Sequence, residues 1–205
     1  MEQKYSAIVF DLGNVLLPFD YSIILDNFEK VRSGLGKNFA DFYKSNYGVH
    51  RKFERGDLSE EKFTDTMLNV LDHEVTKQEF YRIYSEIFTV NEELVGKLPI
   101  LKRKYELVLL SNTNSIHQKY GWGSYSFLSN FDKLVLSHEV LAVKPEEKIY
   151  RAVEAFTSVP SDEHFYIDDV LEYVNAAKTL GWHAAQFVGN DALFGEFRRR
   201  GIRFE

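Results

Sequence analysis

The sequence predicts an α/β protein: a parallel β-sheet with helices on both faces and a small helical unit inserted directly after the first strand. Three observations carry that reading. Short, near-continuous apolar runs recur along the chain, the pattern of strands buried on both faces. Segments of helical periodicity alternate with them, as they do when crossover helices join parallel strands. The alternation is also uneven: the first run ends near Asp11 and the next begins at about Leu107, with helical patterns filling the gap.

In chain order, the first strand covers residues 7–10. After it, Ser59 followed by Glu60 and Glu61 is a helix start, with Phe63, Met67, Val70 and Leu71 as the apolar face. Thr76 and Glu79 have the spacing of a capping box, with Val75 and Phe80 placed for a hydrophobic staple. Phe80, Ile83, Tyr84, Ile87 and Phe88 then mark a second apolar face. Further strands are expected at 107–110, 134–136 and 165–167, and a weaker one at 184–188. Arg198, Arg199 and Arg200, with Arg203 close by, end a C-terminal helix, where cations complement the helix dipole. The expected organisation is a core of residues 1–15 and 91–205 with a helical cap of 16–90.

The chain of 205 residues, 44% hydrophobic and 27% charged, suits one sizeable core with a small insert. It has no cysteine, which excludes disulfides and thiolate metal sites and fits a reducing, cytoplasmic setting. A net charge of −6 argues against nucleic acid as a partner. The first twenty residues match neither a signal peptide nor a membrane span. No heptad seam stands out, so a monomer is expected, with a dimer left open.

Ligands of open parallel sheets bind beyond the carboxyl ends of the strands, so the residues after each strand define the candidate site. They are Asp11-Leu12-Gly13-Asn14 after the first, Ser111-Asn112-Thr113-Asn114 after the second, Lys144-Pro145 beyond the third, and Asp168-Asp169 after the fourth. Singly, each is an ordinary turn or capping residue. The adjacent acids Asp168 and Asp169 are harder to explain that way, because they repel one another unless a cation offsets them.

In this order, IVFDLGNVL, LLSNTN, KPEEKIY and FYIDDVLEYVNAAKTLGW resemble the four motifs of the haloacid dehalogenase-like (HAD) hydrolase superfamily. The wording comes nearest to its cap-bearing sugar-phosphate phosphatases of the α-glucose-1-phosphate phosphatase type, and the resemblance spans nearly the whole chain. It implies a three-layer, Rossmann-like core and a phosphatase that works through an aspartyl-phosphate. Asp11 would be the nucleophile, with Mg²⁺ held by Asp11, the Gly13 carbonyl and Asp169. Ser111, Asn112 and Lys144 would hold phosphate oxygens. Lys144 would also neutralise Asp11, and Asp168 would orient Lys144 or a metal-bound water. The implied partner is a small phosphorylated metabolite.

One departure matters. The usual second acid of the first motif, which protonates the leaving group and then activates water, is here Gly13. Such help is worth about 10²–10⁴-fold. A better leaving group could dispense with it, Asn14 or a cap residue such as His50, Arg51 or Glu54 could replace it, or turnover could be feeble. The segment 50–56 otherwise reads as a charged helix face closed by Gly56. His117 and His138 read as surface histidines, and Tyr120, Trp122 and Tyr125 as packing residues. The rival functions are a haloacid dehalogenase, a phosphomutase, and a phosphate-ester-binding module with little or no turnover.

Overall fold

The computed structural model describes residues 4–205. Five strands, β1 (Ala7–Phe10), β2 (Glu106–Ser111), β3 (Lys133–Leu136), β4 (His164–Asp168) and β5 (His183–Gln186), form one parallel sheet in the order β3-β2-β1-β4-β5. The first strand is central, pairing Ala7 with Glu106 on one side and with His164 on the other. Successive side chains point to opposite faces of a strand, so the sheet carries two cores. Ile8, Phe10, Leu107, Leu109, Phe165 and Ile167 pack on one face, and Val9, Val108, Leu110, Val135 and Tyr166 on the other.

Five helices follow β1: α1 (Ser22–Val31), α2 (Leu35–Ser45), α3 (Tyr47–Glu54), α4 (Glu60–Val70) and α5 (Lys77–Ser85). They enclose their own core, built on Phe28, Phe39, Phe53, Phe63, Phe80 and Tyr84. Ser59 caps α4 by accepting from the Lys62 N–H, and Thr76 and Glu79 make both bonds of the capping box of α5. The two segments joining this unit to the sheet run antiparallel. Asp20 N–H donates to the Ile87 carbonyl, Thr89 N–H to Pro18 and Asn91 N–H to Leu16.

The remaining helices cover the sheet. Short α6 (Glu92–Val95) and α7 (Leu98–Lys102) lead into β2, and short α8 (Ser137–Val140) follows β3. The longer α9 (Glu147–Thr157) and α10 (Leu171–Thr179) contribute Ile149, Tyr150, Val153, Val174 and Ala177 to one face. The last, α11 (Asn190–Arg200), contributes Leu193, Phe194 and Phe197 to the other and ends at Arg198–Arg200 and a left-handed Gly201. The fold is therefore the expected three-layer α/β arrangement. Two local expectations change. The fifth strand ends at Gln186, leaving Val188 71% exposed in the following loop. His117 is buried at 5% exposure instead of lying on the surface. Among the described residues no helix is long and apolar enough to cross a membrane.

Candidate active site

Parallel strands end together, so their terminal residues meet at one edge. Asp11 follows β1, and its N–H continues the ladder by donating to the Ile167 carbonyl at 2.9 Å. Asp168 closes β4 next door. Between them lies Lys144, 1% exposed, with Nζ 2.7 Å from Asp11 Oδ1 and 2.6 Å from Asp168 Oδ2. The loop carrying it is clamped by Asn112. The Lys144 N–H donates to Asn112 Oδ1 at 2.7 Å, and Asn112 Nδ2 donates back to the Lys144 carbonyl at 3.2 Å.

Asp168 is held by three donors of the protein, Lys144 among them. Its Oδ2 also accepts from the Tyr166 hydroxyl, and its Oδ1 accepts from the Val170 N–H at 2.8 Å. Asp169 is half-buried and accepts from Asn14 Nδ2 at 3.2 Å. Asn14 itself sits in the left-handed region with φ 54°, a conformation asparagine tolerates better than most residues.

Ligand oxygens of Asp11, Asp168 and Asp169 lie within 4.8 Å of one another. Burial, with the neighbouring carboxylates Asp168 and Asp169 adding to it, outweighs the pull of Lys144 and leaves Asp11 raised to about 8. Burial likewise raises Asp169. For Lys144, burial opposes the charge, but Asp11 and Asp168 outweigh it and hold the ammonium above its ordinary value. Three carboxylates thus share one buried ammonium, and the cluster is short of positive charge. A hard divalent cation with oxygen ligands fits that donor set.

Over this edge opens a pocket of about 300 Å³ lined by Asp11, Gly13, Asn112, Lys144 and Asp169 from the sheet side. Its opposite wall comes from the five-helix unit: Tyr21, Tyr43, Tyr47, His50, Arg51 and Glu54, with Phe19 beside them. A second cavity of about 70 Å³ adjoins it, bordered by Gly13, Phe19, Glu54, Ser111, Asn112, Thr113, His117 and Trp122.

The fold thus brings Asp11, Gly13, Asn112, Lys144 and Asp169 to one pocket. Ser111 borders the smaller cavity, and Asp168 lies beneath Lys144 and lines neither. His50, Arg51 and Glu54 face the pocket, whereas His138 lines neither cavity. Trp122 is buried, while Tyr120 stacks on Tyr81 at 4.7 Å on an outer groove. Sequence reasoning did not find the tyrosine wall, because Tyr21, Tyr43 and Tyr47 belong to three different helices or their caps and share no periodicity.

No family model matches the chain. The D-ribitol-5-phosphate phosphatase of Bacteroides thetaiotaomicron is 28% identical over 189 residues, spanning 87% of this chain and 90% of that protein. A solved HAD family enzyme from Bacteroides thetaiotaomicron, in complex with magnesium and inorganic phosphate, aligns with a TM-score of 0.81 and 27% identity. It covers 93% of this chain and 99% of that one. A HAD-like family hydrolase of Porphyromonas gingivalis gives 0.78 at 25% identity over 96% and 98% of the two chains. The L-2-haloacid dehalogenase of Xanthobacter autotrophicus, at 0.63 and 17% identity over 97% and 84%, shares the fold.

Proposed function

The chain belongs to the haloacid dehalogenase-like hydrolase superfamily, and we propose that it is a Mg²⁺-dependent phosphatase of small phosphomonoesters, sugar or polyol phosphates, acting through an aspartyl-phosphate on Asp11. The observation that carries the reading is Lys144, buried between Asp11 and Asp168 at 2.7 and 2.6 Å as the one ammonium among three carboxylates. An anionic nucleophile attacking an anionic ester needs such compensation.

Asp11 would attack phosphorus, splitting one difficult displacement into two. Lys144 would fix its carboxylate and receive a phosphate oxygen, and Asp168 would hold Lys144. Ser111 and the Asn112 N–H would bind the other phosphate oxygens. Asp11, the Gly13 carbonyl and Asp169 would hold Mg²⁺, which when bound supplies the charge compensation that Lys144 alone leaves incomplete. Helices within 16–90, as a cap, would set selectivity through the tyrosine wall. The polyol- or sugar-phosphate class is supported by the similarity to the ribitol-5-phosphate phosphatase and by tyrosines that offer both a flat face and a hydroxyl.

Purified protein is expected to release phosphate from a panel of sugar and polyol phosphates with Mg²⁺, to stop with EDTA, and to lose turnover in Asp11→Asn. Silence across the panel in Mg²⁺, or full activity in Asp11→Asn, refutes the reading. Metal-independent halide release from a haloacid would favour the dehalogenase.

A further inference from the structure

The phosphatase reading leaves one proton unassigned. As the ester bond breaks, its electron pair goes to the leaving oxygen, and a sugar or polyol alkoxide needs a proton at that moment. The loop after Asp11 offers none. Position 13 is glycine, and a Cβ there would stand 3.0 Å from Phe19 Cε1, so the ring occupies that side. Lys144 is committed between two carboxylates, and Asp169 is engaged by Asn14. Burial raises Tyr21, Tyr43 and Tyr47 above the ordinary tyrosine value, making them poor acids near neutrality.

Arg51 is committed to the Lys144 carbonyl, which leaves two titratable side chains on the cap wall, and they touch. Glu54 Oε1 is 3.2 Å from His50 Nε2, and the two side chains are only 13% and 4% exposed. The other ring nitrogen of His50 lies 3.2 Å from the Tyr84 hydroxyl. Among the described residues, Glu54 is the one carboxylate that borders both the main pocket and the smaller cavity. That cavity is roomy enough for water, and Trp122 Nε1 on its wall is a buried donor with no protein acceptor.

Helix α3, which carries the pair, is fixed to the catalytic edge. Arg51 donates to the Lys144 carbonyl at 2.5 Å, Ser137 Oγ donates to the Glu54 carbonyl at 2.6 Å, and Arg55 pairs with Glu146 at 3.0 Å. The pair is therefore held in register with the lysine that holds Asp11, the support a catalytic group requires.

We propose that the His50–Glu54 pair is the acid and base of the phosphoryl transfer, a role that rests on the phosphatase reading. The pair shares one proton. In the first step Asp11 bonds to phosphorus and the ester P–O bond breaks. Its electron pair stays on the leaving oxygen, which takes the proton from the pair. In the second step a water oxygen bonds to phosphorus and gives a proton to the pair, while the bond from Asp11 to phosphorus breaks and returns its electrons to the carboxylate. The pair ends with the proton it began with.

Facing Glu54 are His50, Arg51, His117 and the hydroxyls of Tyr21, Tyr43, Tyr47 and Tyr84. Burial raises Glu54, but the His50 hydrogen bond and the neighbouring His50 and Arg51 side chains outweigh it and keep the carboxyl below its usual range.

The test compares wild type, Glu54→Gln and His50→Gln in Mg²⁺ on two probes. p-Nitrophenyl phosphate has a leaving group that departs without a proton, whereas ribitol 5-phosphate has one that does not. Glu54→Gln is expected to lose about 10²–10⁴-fold on ribitol 5-phosphate. On p-nitrophenyl phosphate it should release one equivalent of nitrophenolate in a rapid burst and then stall, because the water that frees Asp11 has lost its base. His50→Gln should show the same division between the two probes, and urea midpoints check that both variants are folded. Folded variants with unchanged turnover of ribitol 5-phosphate, or with equal loss on both esters and no burst, overturn the assignment alone. If wild type hydrolyses neither probe nor any ester of the panel, the phosphatase reading falls and the assignment with it; if it hydrolyses another panel ester, that ester replaces ribitol 5-phosphate in the comparison.

Discussion

Lys144 shows how one side chain can bind a whole site together. Its ammonium meets two carboxylates and the Leu110 carbonyl, its main chain is held by Asn112, and its carbonyl receives Arg51. Removing one partner of such a buried set leaves an uncompensated charge, so each member depends on the others. That arrangement was legible from the strand-end residues, because parallel strands must bring their termini to one edge. His117 was not, since nothing in its neighbours distinguishes a buried histidine from an exposed one. Its Nε2–H donates to the Tyr84 carbonyl at 3.1 Å and its Nδ1 accepts from Asn114 Nδ2 at 3.2 Å, an arrangement only the neutral ring satisfies. Burial, reinforced by the charge of His50, lowers it to about 3. The unfolded chain takes up that proton near the ordinary value of 6.5 and the folded chain does not, so this contribution is complete above 6.5 and is lost as pH falls toward 3. The urea midpoint is expected to be lower at pH 5.5 than at pH 7.5, and His117→Asn should narrow the gap.

At the scale of elements, the capping signals were readable because they are local: Ser59, Thr76 and Glu79 act within a few residues of themselves. Gly56 is similar. It has φ 80°, and with Gly56 N–H donating to the Phe53 carbonyl and Asp57 N–H to Lys52 it closes α3 in a Schellman motif. What the sequence hid is where that helix points. Chain direction changes at Asn46, between α2 and α3, which lets Tyr43, Tyr47 and His50 gather with ring centroids 4.9–5.8 Å apart. A change of direction leaves no periodic trace. The glycine also lies against the core, where an added Cβ would stand 2.6 Å from the His138 carbonyl oxygen. Gly56→Ala is therefore expected to destabilise by more than about 1 kcal/mol, from the left-handed conformation alone. It should also lower kcat by moving α3 away from Ser137 and Lys144. Urea unfolding and steady-state kinetics on one preparation check both.

At the scale of the molecule, the fold class followed from the apolar runs and the long helical interval, and the sheet order explains why they suffice. A strand covered on both faces has no room for polar alternation, and β1, with all four residues buried, is the clearest example. Sequence periodicity could not reveal the two linkers at 16–20 and 87–91, because their pairing joins residues about seventy positions apart, as in Asp20 with Ile87. The central position of β1 has a further consequence, for synthesis. It is made first, yet its partners Glu106 and His164 lie about 100 and 160 residues further on. At about 5–20 residues per second, the ribosome takes roughly 8–30 s to supply the second of them. Through that interval an apolar strand waits with an open edge, the state in which nascent chains aggregate or recruit chaperones. Ribosome-bound chains stalled before His164 should be cut readily by protease near β1, and those released beyond Gln186 should resist it.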